Sequence, residues 1–178
     1  MNTSEISSVR RTGSIFLIGF MGSGKSYWGN IWSRHSGLPF YDLDAVIEAA
    51  AQKTITQIFE DSGEIFFRNE ETAAIQQFGN MQNCIVACGG GTPCFNNNMV
   101  WMNNHGTTVY LKATPEEIFK RLINEQDKRP VIKNIPQQEL LAFIEKKLSE
   151  RAFFYEQAQH ILPVVTLTAQ TIHQLLKL

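Results

Sequence analysis

Residues 19–29 read GFMGSGKSYWG, in which Gly19, Gly24, Lys25 and Ser26 satisfy the spacing G-x-x-x-x-G-K-[ST]. Glycines at that spacing let the backbone take positive φ and turn its N–H groups inward around an anion. A helix opening directly afterwards adds its unpaired amides and the positive end of its dipole. Lys25 is placed to reach the β- and γ-phosphates of a nucleotide, and the Ser26 hydroxyl to sit on Mg²⁺. The flanks give the context. SIFLIG at 14–19 is apolar and rich in strand formers, while SYWGNIWSRHSG at 26–37 carries Trp28, Ile31 and Trp32 at helical spacing and closes on Gly37. Strand, glycine loop and helix follow in the order a triphosphate cradle requires; a glycine-rich turn with an incidental lysine is the plainer alternative. The cradle says that phosphate is held, not where it goes.

At 178 residues the length suits one domain with a substantial core. Sixteen basic and 17 acidic residues leave a net charge of −1 without long charge runs, which argues against a general nucleic-acid binder. No apolar run approaches the roughly 20 residues of a membrane helix. Residues 1–12 are polar and lack a signal-peptide core, so they read as a disordered tail before a single domain at 13–178, with the cytoplasm as the default location. Cys84, Cys88 and Cys94 lack the spacing of zinc ligands and are expected to be free, buried thiols.

Five short apolar runs, at 15–19, 38–42, 84–88, 107–112 and 160–165, read as buried parallel strands. Helical patterns fall at 43–51, 54–60, 63–78, from 114 onward, at 137–158 and at 168–177, with Thr54–Gln57 and TPEE at 114–117 as helix starts. The alternation predicts a doubly wound α/β fold with a five-stranded parallel sheet and ligands at the carboxyl ends of the strands. Two segments stand apart. NEQDKRPVIKNIP at 124–136 is polar and holds two prolines, as expected of a lid. CGGGTP at 88–93 places three glycines after a strand, which implies close access to that backbone or a plain tight turn.

The set GFMGSGKSYWG, FYDLD (40–44), GEIFFR (63–68), CGGGTP, KRP (128–130) and RAFFYEQA (151–158), in this order, resembles shikimate kinase over about residues 13–178. The resemblance implies a P-loop kinase of the nucleoside-monophosphate-kinase type that uses ATP and Mg²⁺ to phosphorylate the 3-hydroxyl of shikimate in aromatic amino acid biosynthesis. It implies Gly22, Ser23, Gly24, Lys25, Ser26 and Tyr27 around the phosphates, and Ser26 with Asp42 at the metal. Lys25, Asp42 and the lid arginine Arg129 would carry the catalysis. Arg121 would stack on adenine, although a helix-surface arginine explains it as well. Asp44 would accept hydrogen bonds from the ring hydroxyls, and Arg68 and Arg151 would grip the carboxylate, a geometry that guanidinium forks suit. Gly89, Gly90 and Gly91 would present backbone N–H groups. Phe59 and Phe67 would wall the ring, with ordinary core packing as the bland reading. The expected partners are small molecules only, without nucleic acid or membrane, and the enzyme is expected to be a monomer. Tyr27 departs from the family, which usually has threonine there, and VTLTAQ (165–170) has no clear match. Gluconate kinase is the nearest enzyme alternative, a non-catalytic nucleotide-binding module the alternative from another class. A GTPase switch lacks its N-K-x-D motif.

Overall fold

The apolar run after Gly13 becomes the central strand of the sheet. The computed structural model describes residues 13–81, 83–126 and 131–176; the tail at 1–12 and Lys128, Arg129 and Pro130 of the expected lid lie outside them. Strand β1 (Ser14–Ile18) is buried along its whole length. It pairs in parallel with β3 (Ile85–Ala87) on one side and β4 (Gly106–Lys112) on the other. Beyond these lie β2 (Phe40–Asp42) and β5 (His160–Pro163), giving the order β2-β3-β1-β4-β5 with every pairing parallel. A central strand covered on both faces must be apolar throughout, which is why it reads as an unbroken hydrophobic run. The register aligns Leu17, Ala87 and Asp42 across three adjacent strands. The glycine-rich loop, the CGGG segment and the DLD segment therefore leave the sheet side by side from one edge.

Helix α1 (Lys25–Ser36) follows the first loop and ends at Gly37, whose left-handed φ of 74° turns its N–H back to the Ser33 carbonyl. Asp42 caps α2 (Leu43–Ala51). Helix α3 (Ile55–Gln76) starts at a Thr54–Gln57 capping box and bends at Gly63 (φ 78°, ψ 175°). The two helices expected at 54–60 and 63–78 are the halves of this bent element. The Thr114–Glu117 box and Pro115 open α5 (Pro115–Leu122), as the TPEE pattern requires.

Three differences from the sequence reading have physical reasons. Helix α4 (Asn98–His105) was not expected, because asparagines at 97, 98, 103 and 104 are poor helix formers, and its fully apolar buried residues are Met99 and Met102 alone. Helix α6 (Gln137–Tyr155) stops before 158, and the last helix, α7 (Thr171–Leu175), is shorter than 168–177. Strand β5 ends at Pro163, which cannot donate to a ladder, and the chain goes on as a 3₁₀ turn over Val164–Thr166. Cys84 and Cys88 are buried as expected, whereas Cys94 is half-buried.

The core is continuous across the sheet and reaches fully buried Trp32 of α1, whose indole N–H donates to the Thr168 carbonyl at 2.9 Å. Within the expected lid, Ile132 is fully buried, and the Gln126 amide donates to the carbonyls of Ile132 and Ile135.

At the amino end of the sheet, β4 lies so close to β1 that a Cβ on Gly106 would fall 2.1 Å from the Ser14 carbonyl oxygen. Backbone cannot yield as a side-chain tip can. Gly106→Ala is expected to cost about 1–3 kcal/mol by overpacking, or roughly 2–12 °C in Tm for a domain of this size. An unchanged thermal unfolding curve would contradict so close an approach.

Candidate active site

Gly19, Gly22 and Gly24 take φ values of 140°, 78° and 94°, so the loop turns through left-handed backbone at each of them. Lys25 begins α1 with its ammonium group folded back on the loop, donating to the carbonyls of Gly19 (2.7 Å) and Phe20 (2.9 Å). The Ser23 hydroxyl is buried and has no hydrogen-bond partner among the described residues. Arg121, on α5, donates from Nη1 to the Gly22 carbonyl at 2.9 Å. Its guanidinium thus rests on the cradle. A cleft of about 350 Å³ opens over the loop, lined among others by Gly22, Gly24, Lys25, Ser26, Tyr27 and Arg121.

The opposite wall of that cleft carries Asp42, Asp44, Gly89 and Gly90. Asp42 ends β2 and divides its oxygens: Oδ2 accepts from the Ser26 hydroxyl at 2.7 Å, and Oδ1 from the Asp44 amide at 3.2 Å. Asp44 is reached by solvent through the cleft but enclosed by protein elsewhere. That enclosure, with repulsion from Asp42 and Glu71 only partly offset by Lys25, pushes its pKa up to about 6. Ser26 and Asp42 offer hard oxygen ligands only, and no cluster of three or more His, Cys, Asp or Glu side chains able to hold a metal occurs among the described residues. Such a donor set suits an ion that phosphates and water help to coordinate, as Mg²⁺ does, rather than an all-protein cage.

The three glycines of CGGG turn out to answer a steric demand. None of them has positive φ. Each instead makes room for a different charged group. A Cβ on Gly89 would lie 2.8 Å from Glu71 Oε1 and 3.2 Å from Asp44 Oδ1. One on Gly90 would lie 3.3 Å from Arg151 Nη1 and 3.3 Å from the Met21 amide nitrogen of the cradle loop. One on Gly91 would press on the Arg68 guanidinium at 2.8 Å. Of the two readings of this segment, close access is the one realised.

Arg68 and Arg151, 83 residues apart in sequence, therefore come to the same three-glycine segment. The Arg68 guanidinium carbon lies 4.1 Å from the Phe95 ring centroid and 5.0 Å from that of Phe67. Phe67 is 4% exposed and packs on half-buried Phe59 with ring centroids 4.6 Å apart. Both belong to the core and its margin, and neither lines the cleft. Arg151 lies over the Phe20 ring at 5.4 Å.

Sequence reasoning missed Glu71. Only 1% exposed, it accepts from Thr92 Oγ1 at 2.6 Å and pairs with Arg68 Nη1 at 2.9 Å. Its position three residues after Arg68 on α3 was visible, but such pairs usually lie on exposed helix faces. Glu64 also holds Arg68, from the preceding turn, at 3.1 Å. Tyr155, four residues after Arg151 and fully buried, donates its hydroxyl to the Gly90 carbonyl. Both are positioning residues: one orients Arg68, the other fixes the glycine segment.

Glu71→Gln keeps the shape but removes the charge, leaving Arg68 with Glu64 alone. Breaking a buried pair costs about 3–5 kcal/mol, and the remaining carboxylate holds the expected loss to about 3 kcal/mol, or roughly 6–12 °C in Tm. Unchanged thermal unfolding would show that the pair does not hold Arg68.

Comparison with known proteins follows the same geometry. The pattern of the family described as shikimate kinase matches residues 21–177. A shikimate kinase of Bacteroides fragilis is 41% identical over 147 residues, covering 83% of this chain and 82% of the relative. The crystal structure of shikimate kinase from Bacteroides thetaiotaomicron superposes with a TM-score of 0.87 at 37% identity, covering 93% of this chain and 99% of that one. Shikimate kinase from Acinetobacter baumannii, solved in complex with shikimate, superposes with a TM-score of 0.82 at 28% identity, covering 93% of each chain. By this match, which takes in the cradle from Met21 onward, the glycine segment and both arginines, the chain belongs to the shikimate kinase family.

Proposed function

We propose that the cleft transfers the γ-phosphoryl group of ATP to the 3-hydroxyl of shikimate. The observation that carries this reading is the position of Gly90, with the cradle on one side and Arg151 on the other. A phosphoryl donor in the cradle and an acid gripped by arginine would meet at that segment. Family membership supports the same chemistry and favours it over gluconate.

In this reading the cradle amides and Lys25 hold the β- and γ-phosphates. Ser26 and Asp42 would hold Mg²⁺, which when bound neutralises charge on the phosphate oxygens. Lys25 moves from the loop carbonyls to the phosphates and compensates charge as it develops on the transferred group. Asp42 faces the attacking hydroxyl, and Asp44 accepts hydrogen bonds from the ring hydroxyls and fixes the acceptor's orientation. Arg68, held by Glu71, and Arg151 take the carboxylate, while Gly89, Gly90 and Gly91 offer their amides to the acceptor. Phe59 and Phe67 back this wall, and Arg121 flanks the nucleotide. Arg129, outside the described residues, is assigned to the γ-phosphate on its sequence motif alone. The enzyme is taken to act as a monomer on these two small molecules. Two buried free thiols fit the reducing cytoplasm, and no helix among the described residues is long and apolar enough to cross a membrane.

ADP production tests the reading: it should depend on shikimate, with little without acceptor or with gluconate. Equal rates with and without shikimate, or a preference for gluconate, would overturn it. The raised pKa of Asp44 adds a signature. The ionised form accepts from the hydroxyls, and ionisation is lost as pH falls through about 6. KM for shikimate should thus rise about tenfold from pH 7 to pH 5, whereas Asp44→Asn should bind more weakly with no such slope. A KM flat over that range in the parent enzyme would remove Asp44 from this role.

A further inference from the structure

Tyr27 is the third residue of α1, where the amide still belongs to the cradle but the side chain leaves it. Its ring lines the active-site cleft and is 65% exposed, although it is a large aromatic. The ring also stands on a fixed support. It meets Trp28 edge to face, with centroids 5.3 Å apart and planes at 81°. Trp28 packs on fully buried Trp32 at 6.0 Å, and Trp32 is tied to the Thr168 carbonyl. Beside this ladder lies Arg121: a Cβ on Gly24 would be 3.4 Å from Trp28 Cδ1 and 3.6 Å from Arg121 Nη1. The lining of the cleft thus includes a phenol ring and a guanidinium, two planar groups, together with Glu125. A threonine at this position would reach no farther than the phosphate nearest the helix. A tyrosine extends past it.

We infer that the Tyr27 ring contacts the base-and-ribose end of the bound nucleotide, beyond the phosphate cradle. The inference rests on the reading that the cleft holds ATP. Contact through a ring face does not read base edges, so it supports adenine and guanine alike.

Calorimetric titration with ATP, GTP and inorganic tripolyphosphate separates the two ends of the nucleotide. Tyr27→Ala is expected to weaken ATP and GTP each by about tenfold, within the range for loss of one base–aromatic contact. Tripolyphosphate, which fills only the cradle, should bind that variant within about twofold of the parent, which also reports an intact fold. Tyr27→Phe should bind ATP like the parent, because the ring and not the hydroxyl makes the contact. Three results would each overturn the inference: unchanged ATP affinity in Tyr27→Ala, an equal loss for tripolyphosphate, or the same defect in Tyr27→Phe as in Tyr27→Ala. Lys25→Ala is the separate control for the underlying reading. If tripolyphosphate does not bind the parent, or binds Lys25→Ala as well as the parent, the cradle assignment itself fails, whatever Tyr27 does.

Discussion

Three cations and three carboxylates gather at the carboxyl edge of one parallel sheet, and the balance between them is the constraint on which the site depends. Glu71 and Asp44 crowd Gly89, Arg151 crowds Gly90 and Arg68 crowds Gly91, while Lys25 and Asp42 line the cleft beside the first two of these glycines. Charges packed this closely with limited water interact far more strongly than on a surface. Glu71 is buried and satisfied by Arg68 and Thr92. The Asp44 carboxylate accepts no hydrogen bond among the described residues, and its enclosure, with repulsion from Asp42 and Glu71, pushes its pKa up to about 6. Arg68 is held by carboxylates and an aromatic face and Arg151 lies over another, arrangements that orient both guanidinium groups before a ligand arrives, while Lys25 waits on the loop carbonyls. Such preorganisation is what phosphoryl transfer asks of a protein, since positioning and charge compensation supply most of the catalysis.

The fold was largely legible because its signals are local. A parallel strand covered on both faces has to be apolar, so β1 shows in the sequence as SIFLI. Capping boxes at Thr54 and Thr114 mark helix starts through hydrogen bonds made within four residues. Helix α4 escaped because its stability comes from burying Met99 and Met102 against the sheet, a tertiary contribution that asparagine-rich sequence hides. The bend at Gly63 was read as a gap between two helices, which is how a single left-handed residue looks in one dimension.

The site was legible where the chemistry uses contiguous residues and obscure where it uses distant ones. The cradle follows from residue type and spacing, whereas the roles of the DLD pair came from resemblance. The glycine segment announced that something approaches its backbone, but not that three different charged groups do so, one at each glycine. Glu71 was invisible because burial, not sequence, distinguishes it from a surface acid on the same helix. The pairing of Arg68 with Arg151 came from resemblance, and the shared segment supplies its physical reason.

The central claim is that the acceptor is held by its carboxylate between two arginines oriented in advance. Calorimetric comparison of shikimate with its methyl ester, at equal nucleotide occupancy, tests this most directly. The ester keeps the ring and hydroxyls but removes the charge that the guanidinium groups meet. The account predicts that the ester binds at least about a hundredfold more weakly, as expected when charge-assisted hydrogen bonds worth about 1.5–3 kcal/mol each are lost. Equal affinity for acid and ester would contradict it.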